Sequence, residues 1–366
     1  MSTATDATAT GLMPGERAPD ITFRKKDGNL VSLYDRALGG ALVVLFYPNH
    51  TDPAVLEALQ GFAAARAMLG EWGAQVFTVS GDSVEATAAY AARSEPGDYV
   101  VSDPDHKIAE SYCAANRLVC YVLDPTQRVY VRLEPGDAPL VDRTLAAVEE
   151  IGRPATFDAP PHAPILVVPN ALSRDECQEL IDYFESHDKA EGGTWRMVDG
   201  KMVNTPNHAM KRRMDHLVQE PEMQARLLRM LGRRVLPEIA VAFQCKVAHA
   251  EEFKLVRYDA DTGGFFRPHR DNTIEATAHR QFAMTLNLNS DEYEGGTLTF
   301  PEFGGATYKP DTGSAAVFSC SLMHEAQPVT KGRRYVLLSF FFDAEHGRMR
   351  EAFAEKMRQA GVTAPA

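Results

Sequence analysis

The stretch KLVRYDADTGGFFRPHRDN, residues 254–272, reads as a strand, a glycine turn and a second strand that closes on His269 and Asp271. Side chains two apart on a strand point to the same face, so a histidine and an aspartate at this spacing reach one point together. The same spacing recurs at His50-Thr51-Asp52, so the pair by itself decides nothing. What lies downstream separates the two. From 251 onward the runs EFKLVRYD, FAMTLNLN, GTLTF, AAVFS and RRYVLLSFFFD are strand-like, closely spaced and divided by turns in which Gly263, Gly264, Gly295 and Gly296 are placed. That pattern predicts a β-sandwich or barrel. Within it, His324 follows 53 residues after Asp271, in SLMHEAQPV, and Arg334 comes ten residues later. His50 and Asp52 have no such company and read as a solvated loop.

The chain has 366 residues, more than one ordinary domain, and its 45% hydrophobic content supplies more than one core. A net charge of −12 and a pI of about 5.4 argue against broad affinity for nucleic acid or an anionic membrane surface. No apolar run reaches the roughly 18 residues of a membrane span. The opening MSTATDATAT lacks a basic region followed by an apolar stretch, so it reads as a polar tail and not as a signal peptide. Five scattered cysteines without C-x-x-C spacing suit reduced thiols and a cytoplasmic location.

IGRPATFDAPPHAP, residues 151–164, is proline-rich and poor in large apolar residues, the composition of a linker. It divides the chain into a first domain over 12–150, a linker over 151–163 and a second domain over 164–350. In the first domain, ALVVLFY (41–47) is apolar throughout, as a strand buried on both faces must be. Helical and strand signals then alternate, and CYVLDP with RVYVRLE reads as a hairpin; together these predict an α/β domain with a largely parallel centre. The second domain opens on an S-x-x-E capping box, Ser173 and Glu176, with Cys177, Leu180, Ile181 and Phe184 on one helical face. A second helix is expected from about 221 to 242, with Leu227, Leu228, Leu231, Val235 and Leu236 in the core. His279 is read as a surface residue. Lys211, Arg212 and Arg213, which could attract an acidic substrate, read first as a solvated charge run.

Two histidines and a carboxylate form the facial pattern that holds mononuclear Fe(II) and leaves three positions open. A structural zinc site would be closed by a fourth ligand, and no cysteine accompanies the three. Two open positions suit the 2-oxo acid end of 2-oxoglutarate and the third suits O2. The far carboxylate of that cosubstrate needs a cation. Arg334 lies on a strand whose two faces read Arg334, Val336, Leu338, Phe340 and Tyr335, Leu337, Ser339, Phe341, both apolar enough for burial. A buried guanidinium requires an anion, from a ligand or from the protein, and the strand supplies none.

The pieces VVPNALSRDECQELI, KLVRYDADTGGFFRPHRDN, HRQFAMTLNLN, GGTLTFPEFG, YKPDTGSAAVFS and LMHEAQPVTKGRRYVLLSFFFD resemble the prolyl 4-hydroxylase-like branch of the Fe(II)/2-oxoglutarate dioxygenases, over about 163–344. The resemblance implies a double-stranded β-helix, a jelly-roll relative, with supporting helices. It implies His269, Asp271 and His324 as iron ligands and Arg334, ten past the distal histidine, as the cosubstrate anchor. Tyr258 matches a tyrosine of the strand entering the metal site, although a plain core aromatic explains it equally well. Asn287 stands near the position of a second family tyrosine. The implied cofactors are Fe(II), 2-oxoglutarate and O2, with ascorbate as a candidate reductant. The implied activity is hydroxylation of an amino-acid or peptidyl side chain, proline first, with release of succinate and CO2. The segment 192–216 falls where this branch has loops over the substrate.

The first domain resembles a peroxiredoxin in the order of PGERAPDITFRKKDGNLVSLYD, VVLFYPNHTDPAVLEAL, VFTVSGDS, VVSDPDHKIAESY and YVLDPTQRVY, which implies a thioredoxin-like fold. Where that family has its peroxidatic cysteine, Thr51-Asp52-Pro53 leads into Ala54. Without a sulfur there is no thiolate to activate, so peroxidase activity is not expected. Cys113 and Cys120 read as buried structural cysteines. The alternative for the chain is a non-catalytic or redox-sensing binding protein, with a partner or second copy bound through this domain.

Overall fold

The computed structural model describes residues 11–24, 30–94, 97–153, 156, 158, 160–198 and 201–359, with side chains described for all of these except 24, 194–198 and 201–204. The tail read at 1–10 and positions 154, 155, 157 and 159 of the linker lie outside the described residues. The chain divides into two compact units, Met1–Phe157 and Asp158–Ala366.

The first unit has the thioredoxin-like fold, built on one five-stranded sheet. Its strands run Tyr99–Ser102, Gln75–Ser80, Leu42–Tyr47, Val119–Leu123 and Val129–Leu133 across the sheet. The first three are parallel, and Val119–Leu123 with Val129–Leu133 form the expected antiparallel hairpin, so the whole sheet is mixed. The strand 42–47 is buried at every position because it packs on both sides. Val43, Leu45 and Tyr47 meet Leu59 and Phe62 of the helix Pro53–Glu71 and Val148 of the helix Leu140–Ile151. Leu42, Val44 and Phe46 meet Ile21, Leu33 and Tyr112 on the other face.

In the second unit two antiparallel sheets form the double-stranded β-helix. The larger has eight strands, centred on Phe282–Asn287, Arg333–Phe342 and Lys254–Asp259. The smaller has five, among them Lys211–Arg212, Phe265–His269 and His324–Ala326. Alternation along Arg333–Phe342 sorts the larger sheet's faces. Tyr335, Leu337 and Phe341 pack with Leu180, Phe184, Leu227 and Leu231 of the covering helices, while Arg334, Leu338 and Phe340 line a cavity on the other side. The helix Arg174–Ser186 starts on the expected capping box, with both reciprocal hydrogen bonds formed.

Several expectations are corrected. The helix expected over 221–242 is two helices, Pro221–Arg234 and Leu236–Phe243, broken at Val235. Pro237 in the first turn of the second helix lacks the N–H that a continuous helix would need there. Leu228 is exposed. His279 is buried, its Nε2 2.7 Å from Glu251 Oε1. Cys113 is exposed, whereas Cys120 is buried and burial pushes its thiol up to about 12. His50 is not a solvated loop residue: it stacks on Tyr90 at 4.3 Å, and its Nδ1 lies 2.5 Å from Asp82. Asp52 caps the helix Pro53–Glu71 by accepting from the Ala54 N–H.

Candidate metal centre

His269 and His324 are cross-strand partners on the smaller sheet, directly opposite in register. Their ring centroids are 4.3 Å apart. Asp271 completes the group but does not share the strand. The strand ends at His269, and a bend turns Asp271 back, held by its N–H to the Cys320 carbonyl at 3.0 Å. Strand alternation is therefore not what unites the pair, as the spacing alone suggested. The bend is pinned to the turn before His324: Asn272 donates to Ser321 Oγ at 2.8 Å, and Arg270 pairs at 2.6 Å with Glu302, which accepts from the Met323 N–H at 2.9 Å.

The Asp271 carboxylate lies 3.5 Å from His269 Nε2 and 3.3 Å from His324 Nε2. One donor atom from each of the three residues falls within 4.8 Å of the others. Each imidazole turns its Nδ1 to a backbone carbonyl, His269 to Arg267 at 2.8 Å and His324 to Leu322 at 3.0 Å. A proton on Nδ1 donates to that oxygen and leaves Nε2 as the free lone pair, aimed at the shared point. Burial alone would raise the Asp271 carboxyl, yet the two histidines hold it at about 2. Burial also lowers His324, which favours the neutral ring a metal binds. Two imidazoles with Nε2 directed at one point and one carboxylate, with no thiol in the group, fit Fe(II) with open positions better than a closed zinc site. Phe266 stacks on His269 at 3.5 Å and Phe318 meets His324 edge-on at 4.7 Å, forming a dry wall.

Arg334 lines the same cavity, of about 210 Å³. It is 4% exposed, and its Nη2 donates only long hydrogen bonds, to Thr285 Oγ1 at 3.4 Å and Asn287 Oδ1 at 3.3 Å. Its Nε has no partner, and no carboxylate among the described residues pairs with it. Arg333, by contrast, faces outward and pairs with Asp259 at 3.1 Å. The Arg334 stem passes Gly296, where a Cβ would lie 3.0 Å from its Cδ and φ is +59°, so glycine is required for this approach. Tyr258, opposite Arg334 in register, is buried with its ring 5.3 Å from the guanidinium, and its hydroxyl accepts from Arg213 at 3.2 Å.

The reading of Lys211, Arg212 and Arg213 as a solvated run fails for two of the three. Lys211 is 7% exposed and Arg213 equally enclosed; both line the cavity, and only Arg212 faces outward. Burial, then the Arg213 charge, lowers the Lys211 ammonium to about 7. Arg213 is paired with Asp215 at 2.8 Å. The i, i+2 spacing of 211, 213 and 215 was the available signal, since a strand places such residues on one face. Just upstream, the expected loop is a hairpin of Gly193–Val198 with Lys201–Pro206. Thr285 and Phe266 also belong to the site and carry no sequence signal of their own. In the first unit, Ala54 stands at the start of its helix with no cysteine beside it.

Residues 253–342 match the 2OG-Fe(II) oxygenase superfamily and residues 14–132 the AhpC/TSA family. A PKHD-type hydroxylase of Crocosphaera subtropica is 26% identical over 183 residues, 48% of this chain and 77% of that protein. A putative peroxiredoxin bcp of Haemophilus influenzae is 29% identical over 101 residues, 28% of this chain and 64% of that protein. Among solved structures, a prolyl hydroxylase from Trichoplax adhaerens, in complex with a hypoxia inducible factor oxygen degradation domain peptide, is 16% identical. It superposes with a TM-score of 0.42, covering 52% of this chain and 86% of its own.

Proposed function

We propose, from the premise that this chain is a 2OG-Fe(II) oxygenase preceded by an AhpC/TSA-type unit, that it hydroxylates an amino-acid side chain, free or within a peptide, with proline first among the candidates. The observation that carries the reading is one cavity holding three convergent metal donors and a buried arginine without an anion. His269 and His324 hold Fe(II) through Nε2 and Asp271 through its carboxylate. Arg334 takes the far carboxylate of 2-oxoglutarate, with Asn287 and Thr285 steering the guanidinium and Tyr258 bracing it. Bound Fe(II), 2-oxoglutarate and O2 supply oxidative decarboxylation to succinate and CO2, coupled to hydroxylation.

The protein's own part is preparation. The carbonyls of Arg267 and Leu322 keep both imidazoles in the binding tautomer. The aromatic wall excludes water, which strengthens every charge interaction inside. The AhpC/TSA-type unit, which lacks a thiol at Ala54, is given a supporting role: presenting substrate, pairing with a second copy, or adding stability. The kinship of the second unit to PKHD-type hydroxylases supports hydroxylation as the outcome.

The test is an anaerobic titration of the apoprotein with Fe(II) and then 2-oxoglutarate, following the visible metal-to-ligand charge-transfer absorption. The band should form in the wild type and be lost in His269→Ala. A wild-type protein that retains Fe(II) but gives no band would mean that 2-oxoglutarate does not chelate there. The non-catalytic reading would then replace this one.

A further inference from the structure

Lys211 is a cavity cation that the cosubstrate does not account for. Its short strand pairs with Phe265 and Phe266, on the strand that ends in His269, and its side chain enters the triad's cavity. Its Nζ lies 5.0 Å from the Phe266 ring centroid, and the same ring stacks on His269 and carries the Arg213 guanidinium at 5.2 Å. It is 7% exposed, and no oxygen of the described residues accepts a hydrogen bond from its Nζ.

Apart from Arg334, the other cations of the cavity have anions. Arg213 has Asp215 at 2.8 Å, Lys254 reaches the same carboxylate at 3.7 Å, and Arg280 holds Glu251 through two bonds of 2.7 Å. Of the two carboxylates of 2-oxoglutarate, one chelates the metal and the other goes to Arg334. Lys211 is left over. An enclosed ammonium without an anion is unfavourable, and a methionine of similar length would fill the same space without that cost. Burial leaves that ammonium close to losing its proton near neutral pH, and an anion that enters the cavity with another molecule would hold the charge in place.

We propose that Lys211 receives a carboxylate of the prime substrate, so that this oxygenase acts on a compound bearing its own carboxylate near the hydroxylated carbon. The Nζ and the His269 imidazole both lie against the Phe266 ring, 5.0 and 3.5 Å from its centroid, so a molecule that reaches both the ammonium and the metal site is short. That carboxylate is the α-carboxylate of a free amino acid or the side chain of an acidic residue in a peptide. The inference rests on the oxygenase reading above, and it makes Lys211 a specificity determinant.

Protein loaded anaerobically with Fe(II) and 2-oxoglutarate is titrated with matched compounds, read by the shift of the charge-transfer band and by calorimetry. One pair is L-proline and L-prolinamide, and a second is L-leucine and L-leucinamide. A third is N-acetyl-glutamyl amide and N-acetyl-glutaminyl amide, in which only the side-chain carboxylate differs. At least one carboxylate should bind about 10-fold or more tightly than its amide, as expected for a charge-assisted contact. Discrimination in the first two pairs assigns a free amino acid; discrimination in the third assigns an acidic peptide. The preference should collapse in Lys211→Met and survive in Lys211→Arg, with the 2-oxoglutarate requirement unchanged in both.

Three results overturn the proposal. The first is a wild-type protein that binds no carboxylate of the panel better than its amide. The second is a preference that persists in Lys211→Met while Lys211→Arg and the wild type behave alike. The third is a raised 2-oxoglutarate requirement in Lys211→Met, which would make Lys211 a cosubstrate ligand. Absence of the band before any panel compound is added signals a different failure, that of the oxygenase reading itself.

Discussion

Arg334 and Lys211 are both buried cations with no carboxylate of the described residues in ion-pair contact, and each leaves a separate signature on removal. For Arg334→Met the half-saturating 2-oxoglutarate in the band titration should rise at least about 10-fold, the loss of a charge-assisted contact of about 1.5–3 kcal/mol. An unchanged requirement would exclude Arg334 as the anchor. Lys211→Met tests the apoprotein instead. Replacing an unpaired enclosed charge with an apolar side chain of similar size should hold or raise the thermal midpoint of the second unit, by about 2–4 °C for each kcal/mol gained. A clear fall in calorimetry would mean that Lys211 already has an anion in the free protein. His279 shows why single residues mislead when read alone: its partner Glu251 is 28 positions away, and no local pattern announces it.

The elements around the cavity are tied together by that same Glu251. It precedes the strand Lys254–Asp259 and binds His279 and Arg280, which precede the strand Phe282–Asn287. Its own carbonyl accepts from Ser339 of the strand Arg333–Phe342. Three central strands thus meet at one residue, two of them through its neighbours' bonds at the carboxylate and the third at its main-chain carbonyl. Burial alone would raise its pKa, but His279 and Arg280 bring it from 4.5 to about 2. The folded value lies below the unfolded one, so the stabilisation is present in full above about pH 4.5 and is lost as pH falls toward 2. It amounts to about 3 kcal/mol. Glu251→Gln should lower stability at neutral pH by a similar amount and flatten the acid limb between pH 4.5 and 2 in denaturant titrations. An acid limb as steep as that of the wild type would assign acid sensitivity to other carboxylates.

At the scale of the whole molecule, each unit has its own core, and no helix among the described residues is long and apolar enough to cross a membrane. The first unit retains the peroxiredoxin-like sheet while the loop that would carry the thiol is refitted. His50 is anchored on Tyr90 and Asp82, and Asp52 satisfies the helix N-terminus at Ala54. Its remaining thiols are Cys120, raised to about 12 by burial, and the exposed Cys113. Hydrogen peroxide with dithiothreitol should therefore show no catalytic consumption, and Cys113→Ser should change nothing beyond the stoichiometric labelling of one thiol. Multiple turnovers abolished by Cys113→Ser would restore a redox role to this unit.

The sequence by itself determined the fold classes and where the chemistry had to be sought. Unbroken apolar runs demand strands buried on two faces, an arginine heading an otherwise apolar strand over 333–342 demands an anion, and S-x-x-E demands a helix start. These are local rules, with the information carried within a few residues. Tertiary structure alone decided the rest. Asp271 joins the histidines through a bend held by Cys320, not through its spacing. Lys211 leaves solvent because its strand pairs with Phe266, and Arg334 lacks an anion because Thr285 and Asn287 are what stand opposite. Whether a charge is solvated, paired or left for a ligand depends on partners tens of residues away, and only the folded chain brings those together.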